Sequence, residues 1–299
     1  MNDAVVILGQ GAWGTALGRT LSDAGAQVRF WRRGGSAAVL EGAGLVLSAV
    51  PAQATRDVLA AVAPALPGGV ALVLTAKGLE KGTLKLQSEI AAEVAPGHPA
   101  AILTGPSFAS DLTTGLPTAV TLAMADTVLG EALQRRLATP SLRPYLTDDI
   151  IGAQIGGAVK NVIAIACGAV IGAGLGESAR AALMTRGFAE MLRIGTALGG
   201  RAETLGGLSG LGDLALTCAS ESSRNFAYGL ALGRGTTPAA LAADGRTYEG
   251  AATAGPVAAL AAWLGVEMPL AAAVAALVAG RLGVPEAIEK LFNRPLRRE

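Results

Sequence analysis

Short apolar runs alternate with amphipathic segments through the first half of the chain. The runs are rich in Val, Leu, Ile and Ala and end in glycine, proline or polar residues, which is typical of strands covered on both faces. The segments between them carry apolar residues at helical spacing. This alternation predicts a doubly wound sheet with helices on its faces. The predicted strands are 4–8, 27–31, 45–50, 70–75, 101–104, 118–124 and 142–147, and the predicted helices are 15–24, 54–65, 84–94 and 129–138.

The pattern changes after Ile150, where apolar residues recur at helical spacing as far as Phe292 and no further strand pattern is convincing. We therefore predict an α/β domain over residues 1–150 and an all-helical domain over residues 151–299. No flexible linker separates the two. They are expected to pack closely, with a ligand site between them.

Two long apolar runs, 162–176 and 255–280, raise the question of a membrane span. The first is shorter than the roughly 20 residues that a span needs, and the second contains Glu267 and Pro269. We interpret both as buried helices and expect no membrane span. Met1-Asn2-Asp3 leads straight into the first strand without a signal-peptide pattern, so we predict a cytoplasmic protein.

Charge and metal-ligating residues narrow the range of partners. The chain has 24 Lys and Arg against 23 Asp and Glu, a net charge of +1, which gives no basic field for nucleic acid. His98 is the single histidine and lies in a Pro-Gly loop, while Cys167 and Cys218 form no C-x-x-C pair. We therefore predict no metal site and no disulfide framework. A small molecule is the expected partner, and the oligomeric state, a homodimer included, stays open.

A glycine-rich turn, Gly9-Gln10-Gly11-Ala12-Trp13-Gly14, joins the first predicted strand to the first helix. Gly9 permits a tight turn, Gly11 lets a pyrophosphate approach the main chain, and Gly14 allows close packing of helix on strand. The N-terminus of the helix adds a positive pole. The turn therefore predicts a dinucleotide site.

The end of the second predicted strand bears on the choice of dinucleotide. A site selective for NAD is expected to carry Asp or Glu here for the ribose 2′-hydroxyl. Arg32-Arg33 stand there instead, and guanidinium groups suit a 2′-phosphate. NADP is therefore favoured over NAD, unless the two arginines are simply solvated.

Lys160 is the one cation in the apolar segment 156–166. Burying an ammonium group costs several kcal/mol unless it is paired or deprotonated. Lys160 is thus either a half-exposed side chain or one kept for chemistry. Lys77, Asp213 at the end of a Gly-rich turn, and the polar segment 222–225 are expected to converge with it on the cleft between the domains.

These segments resemble the bacterial NAD(P)-dependent glycerol-3-phosphate dehydrogenase family. The resemblance implies an N-terminal Rossmann domain, a helical C-terminal domain, and interconversion of sn-glycerol 3-phosphate and dihydroxyacetone phosphate for phospholipid synthesis. The matching segments run in order from residue 9 to residue 269 and read GQGAWGTAL, VPAQ, AKGLE, GPSFA, GGAVKNVIAIACG, TRGFAEM, GLSGLGDL, SSRN and VEMP.

The resemblance also implies roles for single residues. Lys160 would be the acid or base for the substrate's C2 oxygen, with Lys77 and Asp213 completing the catalytic set, and burial beside a second cation would lower its pKa. Candidate substrate-binding residues are Lys77, Gly105, Ser107, Lys160, Asp213, Ser223, Arg224 and Asn225. With the glycine turn and the arginine pair, candidate cofactor residues are Gly9, Gly11, Ala12, Trp13, Gly14, Arg32, Arg33, Lys77, Ala109, Arg224, Thr247 and Glu249.

Simpler interpretations stay open for several of these residues. Asp213 could be a helix N-cap, Asn161 and Ser222 could be caps or packing residues, and Glu249 could be a solvated charge. The whole chain could also be another β-hydroxyacid or ketopantoate-type reductase, or an NADP-sensing protein without catalysis.

One departure from the family concerns the connection after the second strand. Members of the family usually carry a longer connection there, with a further strand, whereas residues 34–43 alone span the gap in this chain. We therefore expect a Rossmann domain shortened after strand 2 and trimmed on its adenosine side.

Overall fold

A seven-stranded sheet forms the N-terminal part of the chain within residues 4–292, which the computed structural model describes. The sequence interpretations that concern residues 1–3 and 293–299 lie outside the described residues. The strands are β1 (Ala4–Leu8), β2 (Val28–Trp31), β3 (Ala43–Ser48), β4 (Ala71–Leu74), β5 (Ala100–Thr104), β6 (Thr118–Ala123) and β7 (Leu142–Thr147). Their order across the sheet is β2-β1-β3-β4-β5-β6-β7. The first five strands are parallel, β6 runs antiparallel to β5, and β7 is parallel to β6.

Helices cover the sheet as the alternating pattern predicts. They are α1 (Ala12–Asp23), α2 (Thr55–Val62), α3 (Gln87–Val94), α4 (Ala109–Thr113) and α5 (Thr127–Leu137). The sequence pattern missed α4, because five residues are too few to show helical periodicity. It also gave no sign that β6 reverses direction. Helix α4 packs against α1 and lies at the carboxyl end of β5. The chain therefore enters β6 from the end of the sheet at which it left β5, and β6 runs antiparallel to β5.

Every regular element described after β7 is helical, which confirms the predicted fold class. The run 255–280, interpreted as one buried helix, is instead divided between two helices. Residues 264–268 separate them, and Pro269 begins the second, a position where its missing N–H costs no hydrogen bond. The helices are α6 (Ile150–Gly172), α7 (Gly176–Ala197), α8 (Ala202–Gly206), α9 (Asp213–Cys218), α10 (Arg224–Gly233), α11 (Pro238–Ala242), α12 (Glu249–Trp263), α13 (Pro269–Val278) and α14 (Val284–Phe292).

The connection between β2 and β3 contains no strand, only a 3₁₀ turn at Ala37–Leu40. It folds back over the edge of the sheet. The Arg29 guanidinium donates to the carbonyl oxygen of Glu41 at 2.7 Å, and the Trp31 indole donates to that of Gly35 at 3.2 Å. β2 is therefore an edge strand, as expected for a connection without a further strand. The covering of this edge by the connection itself was not predicted.

Helix α6 is the centre of the helical part, and residues 152–170 are buried all round it. Among the described helices it alone is long and apolar enough to cross a membrane, and 89% of its most apolar window is buried inside the protein. Its contact with α10 is main chain on main chain. A Cβ on Gly168 would lie 2.0 Å from the carbonyl oxygen of Phe226, and one on Gly229 would lie 2.0 Å from that of Ile165. Only glycine permits this approach.

We expect Gly168→Ala to lower the free energy of unfolding by about 3 kcal/mol, because the added methyl group meets a carbonyl oxygen that helix geometry holds in place. Gly206→Ala is the matched control. Gly206 is exposed at the end of α8 and no atom lies within 4 Å of the place a Cβ would take, so alanine there should change the free energy of unfolding by less than about 0.5 kcal/mol. Urea unfolding of the two variants measures both effects. Equal stability of the two variants would contradict the close contact of α6 with α10.

Candidate active site

The loops that follow β4 and β5 contact α6 at the carboxyl ends of these strands. Gly156 and Gly157 make this contact close. A Cβ on Gly157 would lie 2.7 Å from Thr104 Oγ1 and 3.4 Å from Lys77 Cγ, and one on Gly156 would lie 2.5 Å from the carbonyl oxygen of Ser209. The end of β5 therefore packs against α6 at Gly157, and the Gly-rich turn before α9 packs against it at Gly156.

Asp213 lies between two lysines. Its Oδ1 is 3.0 Å from Lys160 Nζ, and its Oδ2 is 2.6 Å from Lys77 Nζ. Lys77 Nζ also donates to the carbonyl oxygen of Gly105 at 2.9 Å. Asp213 is 1% exposed and Lys160 7%, so the cluster is shielded from bulk water. The structure therefore brings Lys77, Gly105, Lys160 and Asp213 together.

Asp213 reaches this place through one turn of π-helix, Leu208–Gly212, which leads directly into α9. Turns of this kind are frequent at functional sites. Gly210 allows the turn, because a Cβ there would lie 1.9 Å from the carbonyl oxygen of Leu205. Asp213 is the first residue of α9, and its carboxylate bonds the lysines rather than capping the helix.

Thr217 also belongs to this cluster, and the sequence interpretation missed it. Lys160 Nζ donates to Thr217 Oγ1 at 2.7 Å, and that hydroxyl donates to Asp213 Oδ1 at 3.3 Å. Thr217 follows Asp213 by four residues, so the two share a face of α9. This i, i+4 spacing was the available signal.

Burial lowers the pKa of Lys160 to about 8. Asp213 opposes this shift because it stabilises the ammonium form, and the charge of Lys77 reinforces it. A lysine with such a pKa exchanges a proton near neutral pH, as a general acid or base must. The main cause of the lowered pKa is burial, as expected for a lysine in an apolar helix.

A chain of amide contacts links α6, α10 and α12 to the loop after β4. Asn161 Nδ2 donates to the carbonyl oxygen of Lys77 at 3.3 Å, and Asn225 Nδ2 donates to Asn161 Oδ1 at 2.8 Å. Asn225 Oδ1 accepts from the N–H of Gly250 at 2.9 Å. Asn161 is therefore buried and bonded to residues on both sides. The sequence alone did not distinguish this role from that of a cap or a packing residue.

Of the remaining candidates of the helical part, Ser223 is buried, whereas Arg224 and Thr247 are exposed. Ser223 caps α10, its hydroxyl accepting from the N–H of Phe226 at 3.3 Å. Arg224, the first residue of α10, is exposed, and its side chain forms no hydrogen bond or ion pair with the described residues. Thr247 is exposed before α12. In the sheet loops, Ser107 Oγ donates to the carbonyl oxygen of Gly105 at 3.0 Å.

The β1–α1 turn has the geometry of a phosphate cradle. Gly9 has a φ of +95°, which favours glycine, and a Cβ on Gly14 would lie 2.3 Å from the carbonyl oxygen of Gly9. Gly11 faces open space. Helix α1, which starts at Ala12, has no side-chain cap and no acidic residue in its first turn, so its N–H groups can receive an anion.

A pocket of about 280 Å³ adjoins this cradle. Arg32 Nε donates to Gln10 Oε1 at 2.7 Å, and Arg33 is exposed. Trp13 and Ala109 pack against the same apolar cluster nearby. The open cradle and the cationic pocket fit a phosphorylated dinucleotide. The pocket is lined by Gly9, Gln10, Trp31, Arg32, Arg33, Val50, Pro51, Ala54 and Val58.

Two family models together match most of the chain. The model of the NAD-dependent glycerol-3-phosphate dehydrogenase C-terminus matches residues 149–289, and that of the N-terminus matches residues 4–38 and 34–129. The chain belongs to the NAD-dependent glycerol-3-phosphate dehydrogenase family. The N-terminal match is split inside the connection between β2 and β3, where the shortening was expected.

Individual members of the family are similar over their full length. Glycerol-3-phosphate dehydrogenase [NAD(P)+] of Cereibacter sphaeroides is 54% identical over 98% of this chain and 99% of its own. The solved glycerol-3-phosphate dehydrogenase of Coxiella burnetii is 36% identical, with a TM-score of 0.93 over 98% of this chain and 99% of that one. A ketopantoate reductase from Ralstonia eutropha shares the fold, with a TM-score of 0.60, 17% identity and coverage of 95% and 99%.

We expect one of the chain's five lysines to titrate at a pH of about 8. NMR of protein labelled with ¹³C at lysine Cε measures this, and loss of the resonance in Lys160→Arg assigns it. Asp213→Asn should move the titration to lower pH, because the carboxylate that favours the ammonium form is removed. Titration of Lys160 above pH 10 would show that burial does not control this group.

Proposed function

We propose that the chain is a glycerol-3-phosphate dehydrogenase that interconverts sn-glycerol 3-phosphate and dihydroxyacetone phosphate with NADP or NAD. The observation that carries the proposal is the buried Asp213 carboxylate between the ammonium groups of Lys160 and Lys77. This cluster lies at the sheet edge, where parallel α/β sheets bind their ligands. The product would supply glycerophospholipid synthesis.

In this proposal Lys160 takes the proton from the C2 hydroxyl during oxidation and returns it during reduction of the ketone. Its pKa of about 8 suits both directions. Lys77 adds positive charge beside the same oxygen, which stabilises the negative charge that develops there. Asp213 and Thr217 hold the Lys160 amine in place. When bound, the nicotinamide supplies or accepts the hydride.

The phosphate of the substrate would lie at the N-terminus of α10. Arg224 offers an exposed guanidinium without a partner among the described residues. The first turn of α10 adds main-chain N–H groups, and the capping by Ser223 and the bonds of Asn225 fix that turn. Gly105 and Ser107 would border the substrate from the sheet side.

The cofactor would lie along the carboxyl ends of β1, β2 and β3. The residues proposed to hold it are Gly9, Gly11, Ala12, Trp13, Gly14, Arg32, Arg33, Lys77, Ala109, Arg224, Thr247 and Glu249. NADP is the proposed preference, because Arg32 and Arg33 line the adenosine-side pocket and none of its lining residues is acidic.

Two further properties belong to the same proposal. We infer that α6 is a core helix and not a membrane span, because most of its apolar window is buried. We also propose that the protein is a cytoplasmic enzyme that acts on a small molecule.

The function is tested by mixing pure protein with dihydroxyacetone phosphate and NADPH or NADH. We expect oxidation of both, with the higher kcat/KM for NADPH. Lys160→Ala should lower kcat by about 10²–10⁴-fold while the fold is kept, because it removes the acid. Reduction of ketopantoate in place of dihydroxyacetone phosphate would indicate the other reductase class. Cofactor binding without turnover would indicate a sensing protein.

Arg224→Ala should raise KM for dihydroxyacetone phosphate by about 10–100-fold, since a charged hydrogen-bonding group is lost. Arg234→Ala at the other end of α10 is the matched control, because Arg234 is also exposed. It should leave KM unchanged. Steady-state kinetics at saturating NADPH separates the two variants, and a KM of wild-type size in Arg224→Ala would remove Arg224 from the phosphate site.

A further inference from the structure

Glu249 connects the helical part to two loops of the sheet. Its Oε1 accepts from the N–H of Ala52 at 3.2 Å, and its Oε2 accepts from the N–H of Lys77 at 3.4 Å. Ala52 follows β3 and Lys77 follows β4. One carboxylate at the start of α12 thus holds the two neighbouring loops that border the cleft. Its environment is apolar enough that burial raises its pKa.

The main chain of Lys77 is held on both sides. Glu249 accepts its N–H, and Asn161 donates to its carbonyl oxygen. Asn161 is bonded to Asn225, and Asn225 to the N–H of Gly250, the residue after Glu249. The contacts therefore close into a ring that begins and ends at the first turn of α12.

Two glycines let this ring close. A Cβ on Gly250 would lie 2.4 Å from the carbonyl oxygen of Asn161. A Cβ on Gly78 would lie 2.5 Å from Thr253 Oγ1, and Thr253 stands one helical turn after Glu249. Helix α12 is therefore seated directly on the loop that carries Lys77.

We propose that Glu249 is a positioning residue for the active site, fixing the main chain of Lys77 and so the place of its ammonium group beside Asp213. This inference rests on the proposed function. Lys77 reaches Asp213 and Gly105 from a loop without regular secondary structure. Within residues 4–292, the Glu249 carboxylate is the acceptor that the structure gives the Lys77 N–H, so its removal would leave that N–H without this bond. A displacement of about 1 Å at a reacting group can cost on the order of 10²-fold in rate.

The positioning role differs in its consequences from a contact with the cofactor. Loss of a cofactor contact alone weakens NADPH binding and leaves kcat unchanged at saturating NADPH. Loss of positioning lowers kcat even when NADPH is saturating. It also frees the Lys77 amide in the protein without cofactor, a change that does not depend on turnover.

The test compares Glu249→Ala and Glu249→Gln with the wild type. Glutamine keeps one acceptor oxygen and should give intermediate values, whereas alanine should lower kcat by about 10²-fold at saturating NADPH. Hydrogen exchange of the amides of Ala52 and Lys77, measured without cofactor, should be faster in both variants. Glu203→Ala is the matched control, because Glu203 is an exposed carboxylate in the first turn of α8. It should change neither kcat nor exchange at Lys77.

Wild-type kcat in Glu249→Ala, or unchanged exchange of the Lys77 amide, would each overturn the positioning role. If alanine prevents folding, as circular dichroism would show, Glu249→Gln carries the same two readouts. A wild-type protein that does not reduce dihydroxyacetone phosphate would overturn the proposed function, while the exchange measurement would still decide whether Glu249 fixes Lys77.

Discussion

A single buried carboxylate shared by two ammonium groups is the interaction on which the cleft depends. Asp213 bonds Lys160 through one oxygen and Lys77 through the other. Because one negative charge serves two positive ones, the cluster keeps a net positive charge when both lysines are protonated. Removing one partner of a buried ion pair typically costs about 3–5 kcal/mol. The same excess of positive charge makes loss of a proton from Lys160 easier and favours an anionic oxygen beside it.

Much of the fold could be predicted from local pattern. Strands β1 and β7 have the bounds that the sequence indicated, because an unbroken apolar run and the flanking turn residues mark both ends. Helix α6 was foreseen as a buried helix, but the apolar run 162–176 indicated neither its start at Ile150 nor its end at Gly172. The reversal of β6 and the split between α12 and α13 were not foreseen. The direction of β6 depends on the strand it pairs with, and local periodicity does not identify that strand. The split did have a local signal, because Gly265 suits the end of one helix and Pro269 the start of the next.

The candidate site shows the same division. Lys77, Lys160 and Asp213 were expected to converge, and the structure places them in direct contact. That expectation drew on motif order as well as on chemistry. Thr217 and the contacts of Asn161 were missed because a threonine in a helix and an asparagine in an apolar run have ordinary explanations. Their roles depend on contacts between residues far apart in the sequence. Thr217 contacts Lys160, 57 positions away, and Asn161 contacts Lys77, 84 positions away.

The glycines of α6 fix its length as well as its packing. Gly157 faces the end of β5 and Gly168 faces α10, about three helical turns apart. One residue inserted between them would rotate everything beyond it by about 100°, so that a side chain would replace a glycine at one of the two contacts. Insertion and deletion are thus excluded here, yet the edge beside β2 tolerates them, since the connection there runs over the surface. Changes in chain length are therefore expected in the connection beside β2 and not between Gly157 and Gly168.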